Sequence, residues 1–150
     1  MSELEIRRLA EHPRHIDGVT TWLVREWPDS RETFAGRRTR LLGPSDGPAT
    51  LLAVCDGRAL GVLAFQRFRR AGDEHLSLFI DALYVDAAAR KRGVGTALLE
   101  AGVASAAEIE RELFVYTASP SWYQSRGWAV REPADDEARS VLSRALPRPK

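Results

Sequence analysis

The sequence predicts an α+β fold in a single domain spanning residues 1–150, built on a mixed, mostly antiparallel sheet of about seven strands. Three observations carry this. The middle of the chain holds three apolar runs separated by turn residues, which reads as a meander of antiparallel strands. After Val85 the apolar period changes from two to 3.6 and back, so a helix joins two strands that lie parallel. A chain of 150 residues buries on the order of 68–70% of the surface its unfolded form exposes, enough for one core.

Each element has its own local reason. Leu4 to Leu9 opens with apolar residues at Leu4 and Ile6, which suits a short half-buried strand. From His15 to Trp27, the residues Ile16, Val19, Leu23 and Trp27 recur at helical spacing until Pro28 stops the run. Asp29-Ser30 is placed to cap a second helix over Arg31 to Leu42, with Phe34, Leu41 and Leu42 toward the core, and the breakers from Gly43 to Pro48 follow. Thr50 to Cys55 and Ala59 to Phe68 flank Asp56-Gly57, a strong hairpin signal. The turn from Ala71 to Glu74 leads into a third strand over His75 to Val85, and Arg67, Arg69 and Arg70 form a solvated strand end before it, with attraction of an acidic substrate as the alternative. Val94, Ala97, Leu98, Ala101, Ser105 and Ile109 mark one face of the next helix, and Leu113 to Thr117 forms the strand after it. Ser119-Pro120 opens a short helix that Gly127 closes. Trp128 to Arg131 and Ser140 to Leu146 are the last two strands, and Pro147 to Lys150 is a frayed tail.

Composition excludes several function classes. Against 22 Lys+Arg stand 21 Asp+Glu, so the net charge of +1 supplies no global field for nucleic acid or an anionic membrane. The single cysteine, Cys55, rules out an internal disulfide and four-cysteine zinc frameworks, and His12, His15 and His75 lack metal-ligand spacing, so no metal is expected. The opening MSELEIRRLAEHP lacks the apolar core of a secretion signal, and no apolar run approaches the ~20 residues that span a bilayer, which makes the cytoplasm the expected location.

The stretch from Leu83 to Leu99 carries chemistry. A strand ends at Val85, and Arg90-Lys91-Arg92-Gly93-Val94-Gly95-Thr96 leads straight into a helix. Free backbone N–H groups and the helix dipole favour an anion at such a point, and glycine lets a phosphate approach the main chain. A dinucleotide-binding fingerprint fails because Leu98 stands where a third glycine is required, and a P-loop fails because no glycine is followed by lysine.

Arg90-x-x-Gly93-x-Gly95 after the strand IDALYV resembles the acyl-CoA pyrophosphate motif of the GNAT superfamily of acyl-CoA-dependent N-acyltransferases. Downstream, Trp122-Tyr123-Gln124-Ser125-Arg126-Gly127-Trp128 resembles the second signature of that family, and the order of elements from Leu4 to Leu146 matches its architecture. One departure is Ala87, where the family commonly has proline. The resemblance implies that main chain at Leu83, Tyr84 and Val85 holds the pantetheine arm of acetyl-CoA, with Val85 N–H on the thioester carbonyl. It implies that Arg90, Lys91, Arg92, Gly93, Val94, Gly95 and Thr96 take the pyrophosphate.

The implied reaction is N-acetyl transfer to a primary amine of a small molecule or peptide, by direct attack in a ternary complex, with the protein acting as monomer or homodimer. Tyr123 maps to the residue that serves as general acid, and a phenol with an ordinary pKa of ~10 is protonated at working pH. Asp81 is the candidate base: strand alternation puts it on the face of Leu83 and Val85, and a carboxylate within FIDALYV is costly to bury unpaired. Solvation, pairing with an arginine, or ordered water as the base are the alternatives. Trp22 and Trp27 either line the acceptor site or pack in the core, and Cys55 reads as a core thiol rather than an acyl carrier. Two other functions fit the same motifs: a noncatalytic acyl-CoA-binding regulatory module, and a protein- or tRNA-modifying acetyltransferase. Retention of Tyr123 favours an enzyme.

Overall fold

The computed structural model describes residues 3–28, 31–42 and 47–147. The strands are β1 (Glu5–Arg8), β2 (Leu51–Cys55), β3 (Arg58–Arg69), β4 (Leu76–Val85), β5 (Glu112–Thr117), β6 (Ala129–Glu132) and β7 (Ser140–Ala145), in the sheet order β1-β2-β3-β4-β5-β7-β6. Every neighbouring pair is antiparallel except β4 with β5, as the strand-helix-strand order requires. Asp56 and Gly57 turn the β2–β3 hairpin with φ of 53° and 76°, the positive pair that a tight primed turn demands.

Helices cover both faces. On one side α1 (Ile16–Glu26) and α2 (Phe34–Leu42) bury Val19, Leu23 and Leu41 against Leu52, Val62, Ala64 and Ala82. On the other side α3 (Val94–Ala107) and the short α4 (Pro120–Gln124) bury Leu98, Leu99, Val103 and Tyr123 against Leu63, Phe65, Leu78, Ile80, Leu113 and Leu142.

Two helices depart from the sequence reading. Asp29-Ser30 lies outside the described residues, and α2 starts at Phe34 rather than Arg31: Thr33 Oγ1 accepts from Gly36 N–H at 2.9 Å and the Thr33 carbonyl from Arg37 N–H. Phe34 is accordingly 42% exposed, and Arg37 and Leu41 are the buried residues of this helix. In α3 the buried face runs through Val94, Leu98, Leu99, Gly102, Val103 and Ala106, and Ile109 falls beyond the helix end at 53% exposure. So much of α3 is apolar that the sequence shows no sharp stripe, and the large residues Leu99 and Val103 decide its rotation.

The decisive irregularity is in β4. Its register with β3 runs Ala64↔Ala82 and then Phe65↔Ile80, which leaves Asp81 as an extra residue in a β-bulge. Leu78 and Ile80 before the bulge, and Leu83 and Val85 after it, all pack on the α3 side, whereas Ala82 and Tyr84 pack on the α1–α2 side. Asp81 turns to that second side, where it meets Arg40 of α2. Strict alternation, which groups Asp81 with Leu83 and Val85, is therefore corrected by the bulge. At the same level β4 and β5 part: they pair only at Phe79↔Phe114 and Ile80↔Val115.

Candidate active site

The parting of β4 from β5 opens a cleft of about 900 Å³, lined by Asp81 to Val85, the loop into α3, the end of β5 and α4. Asp86 N–H bonds to the Leu60 carbonyl on β3 at 2.8 Å. In an antiparallel ladder successive amides point to opposite sides, so the N–H groups of Leu83 and Val85 point away from β3, into the gap. An extended ligand laid there would complete the pairing that β5 leaves unmade.

Beyond Val85, Ala87–Ala89 form one 3-10 turn, and the loop then runs through Lys91 with φ 67° and Gly93 with φ 79° to the first turn of α3. Gly93 is needed there because a side chain at that φ is strained. Left-handed residues alternating with ordinary ones gather successive N–H groups into an anion-binding concavity, and no side chain caps this end of α3. A Cβ on Gly95 would make ordinary van der Waals contact with Trp122 at 3.5 Å and Val85 at 3.6 Å, so no clash within the chain requires this glycine.

The basic residues of this loop do not act alike. Arg90 bends back, donating from Nε to the Val85 carbonyl at 3.0 Å and lying over the Tyr84 ring. Arg126, which sequence reasoning passed over, covers the Trp122 ring at 3.9 Å and donates to Thr96 Oγ1 at 3.2 Å and the Trp122 carbonyl at 2.8 Å. It has no carboxylate partner among the described residues and lines the cleft beside the start of α3. Its place before Gly127 in the aromatic signature was the available hint.

Tyr123 is 6% exposed, packed edge-on between Trp122 at 4.9 Å and Trp128 at 5.4 Å. It lines the cleft, and no described residue hydrogen-bonds its hydroxyl. Burial pushes the phenol pKa above its ordinary value, since the phenolate would lose hydration without compensation. Asp81 stands at the throat, its side chain 15% exposed, with Arg40 Nη1 2.8 Å from Oδ2 as an ion pair off the direction of a hydrogen bond. Arg40 is anchored in turn by Glu32, at 2.8 Å from Nε and 2.7 Å from Nη2.

The remaining singled-out residues sort cleanly. Trp27 lines the cleft, whereas Trp22 packs on Tyr84 with ring centroids 5.5 Å apart. Cys55 is half-buried at the hairpin rather than a core thiol. Arg67 pairs with Glu110 at 2.6 Å and Arg70 stacks on Phe114, so only Arg69 of that trio is the solvated residue expected. Among the described residues no helix is long and apolar enough to cross a membrane, and no group of three or more His, Cys, Asp or Glu is arranged to hold a metal.

Solved structures share this architecture. Aminoglycoside 6'-acetyltransferase type Ii superposes with a TM-score of 0.71 at 18% identity, covering 97% of this chain and 99% of that one. Ard1 from Thermoplasma volcanium gives 0.71 at 17% identity, covering 97% and 99%. N-acetylglutamate synthase from Neisseria gonorrhoeae, complexed with coenzyme A and N-acetyl-glutamate, gives 0.68 at 20% identity, covering 97% of this chain and 36% of that one. No curated protein matches in sequence. Residues 16–128 match the Acetyltransferase (GNAT) family, and with the parted strands and the uncapped helix start in the matched segment, the chain belongs to that family of acyl-CoA-dependent N-acyltransferases.

Proposed function

We propose that the protein transfers the acetyl group of acetyl-CoA to a primary amine of a small molecule or peptide, by direct attack in a ternary complex. The observation that carries this is the gap between β4 and β5 opening beside the uncapped start of α3. The residues present fit the donor: N–H groups of Leu83 and Val85 that face away from β3 for the pantetheine arm, and N–H groups from Lys91 to Thr96 with Arg126 for the pyrophosphate. Acetyl-CoA supplies, when bound, an acetyl group already activated as a thioester.

The chain's own residues do the rest. Val85 N–H aims at the carbonyl oxygen, where negative charge develops. Tyr123 holds a proton on a phenol whose pKa burial has raised, so it stays a donor toward the departing sulfur throughout the working range. An alkylammonium with a pKa of ~10.4 must lose a proton before it attacks, and Asp81, or water held beside it at the throat, receives that proton. Arg40 fixes the Asp81 carboxylate on the α1–α2 side, where the acceptor enters.

Calorimetry with acetyl-CoA and free CoA, followed by thiol-release assays across an amine panel, tests the reading. Binding with turnover of at least one amine is expected. No binding at millimolar acetyl-CoA would sink it, and binding without release from any amine would point to a regulatory module.

A further inference from the structure

A second cavity of about 680 Å³ lies on the α1–α2 side of the throat. It shares Glu26, Trp27, Asp81, Tyr116 and Arg139 with the main cleft, so the two communicate through the gap between β4 and β5. Arg70 lies over the Phe114 ring at 4.4 Å, and Arg139 over the Tyr116 ring at 5.6 Å. Phe114 and Tyr116 are two residues apart on β5, so they share a face with Cα atoms roughly 6–7 Å apart.

Neither guanidinium donates a hydrogen bond to a described residue. Arg70 Nε is buried and donates to no described group. Its Nη atoms make loose ion pairs, with Glu132 at 3.7 Å and Asp73 at 3.9 Å, beyond hydrogen-bond reach. Arg139 has no ion-pair partner among the described residues. Stacking on a ring holds each guanidinium flat while leaving its N–H fork free, and that fork matches a carboxylate in two parallel hydrogen bonds. The buried, unsatisfied Arg70 Nε beside a cavity calls for an occupant.

The carboxylates on this surface are arranged to suit. Glu26 and Asp81 stand at the throat, where an amine must enter. Glu132 flanks Arg70, and Glu137 lies on the rim. Of the outer cavity's cations, Arg139 lines both cavities, whereas Arg70, Arg69 and the Glu32-paired Arg37 line only the outer one. A polycation would set charge against these; a molecule with an amine at one end and an oxyanion at the other meets complementary groups at each.

We infer that the acceptor is a small primary amine bearing a carboxylate, which Arg70 and Arg139 clamp while the amine points to the throat beside Asp81. This rests on the acetyltransferase reading above. The test is thiol release from acetyl-CoA with L-glutamate, L-methionine, β-alanine and 4-aminobutyrate, each against its carboxamide, and with spermidine. The α-amino carboxamides have the less basic amines, so a preference for the acids cannot come from amine basicity. We expect kcat/KM about tenfold or more higher for at least one acid than for its carboxamide, the size of a lost charge-assisted hydrogen bond. Arg139→Gln and, separately, Arg70→Gln should each lower that ratio about tenfold through KM, with acetyl-CoA affinity reporting that each variant is folded. Ratios of one or less for every pair, or spermidine as the best substrate, would overturn the inference and leave the acetyltransferase reading standing. So would a ratio that both substitutions leave unchanged. Acetyl-CoA binding with no release from any amine would remove both.

Discussion

Replacing Tyr123 with Phe isolates the proposed acid from its packing. The substitution keeps the ring between Trp122 and Trp128 and removes one hydroxyl that no described residue hydrogen-bonds. With no partner stranded, stability should change by less than about 1 kcal/mol, whereas Tyr123→Ala would lose the ring and about 3–5 kcal/mol. General acid catalysis contributes about 10²–10⁴-fold, so kcat of Tyr123→Phe should fall by about 10²-fold or more. The KM for acetyl-CoA should stay within about twofold, because an interaction made only in the transition state leaves ground-state binding alone. The alkaline limb of the rate profile adds a second reading. Burial raises the Tyr123 pKa, so any limb due to loss of its proton lies above pH ~10, and Tyr123→Phe abolishes it. Thiol release over a pH series, with thermal melting as the folding control, measures both. A kcat within about twofold of the parent, in a variant that melts normally, would refute the assignment and leave Tyr123 as packing.

Gly93→Ala forces a side chain into φ 79°, so it should cost about 1–2 kcal/mol and weaken acetyl-CoA binding in calorimetry; unchanged affinity would mean that the loop geometry is not used. Arg40→Leu removes the shared partner of Glu32 and Asp81, and since Arg40 is 24% exposed the loss should be about 1–3 kcal/mol in denaturant titration, short of a fully buried pair. The hydrogen bond from Arg40 holds the Glu32 carboxyl below its ordinary pKa. That contribution is present above the unfolded value of ~4.3 and is lost as pH falls through the lowered one, so acid titration of Arg40→Leu should show a shallower loss than the parent. Arg126→Ala should raise Kd for CoA, and the increase should shrink with added salt, as expected of a phosphate contact.

What the sequence made legible was local. The hairpin at Asp56-Gly57, the helix ended by Pro28 and the basic loop into Val94 each depend on residues within a few positions, and each appears where expected. The bulge at Asp81 does not, because a strand's register is decided by its neighbour, and nothing in FIDALYV marks the extra residue. The partner of Asp81 comes from Arg40, on a helix packed over the sheet, so no spacing along the chain announces it. The stacks of Arg70 on Phe114 and Arg139 on Tyr116 bring loop residues onto β5 from opposite sides in sequence, and only the assembled sheet makes them a pair. Phe34 was misplaced for a simpler reason: a cap at Thr33 in place of Asp29-Ser30 shifts the start of the helix and with it the inward face.

The parting of β4 from β5 also gives the sheet an internal edge. Unpaired edges invite other chains to add as strands, and proteins ordinarily guard against this at their margins. Here the open amides of Leu83 and Val85 are recessed between two sheet halves whose backbones pair at Phe79↔Phe114 and Ile80↔Val115 and which α3 spans. An extended arm with its own amides can take up there the hydrogen bonds that β5 leaves unmade. The fold thus retains the adhesiveness of a bare strand and keeps it inside the molecule rather than at a margin.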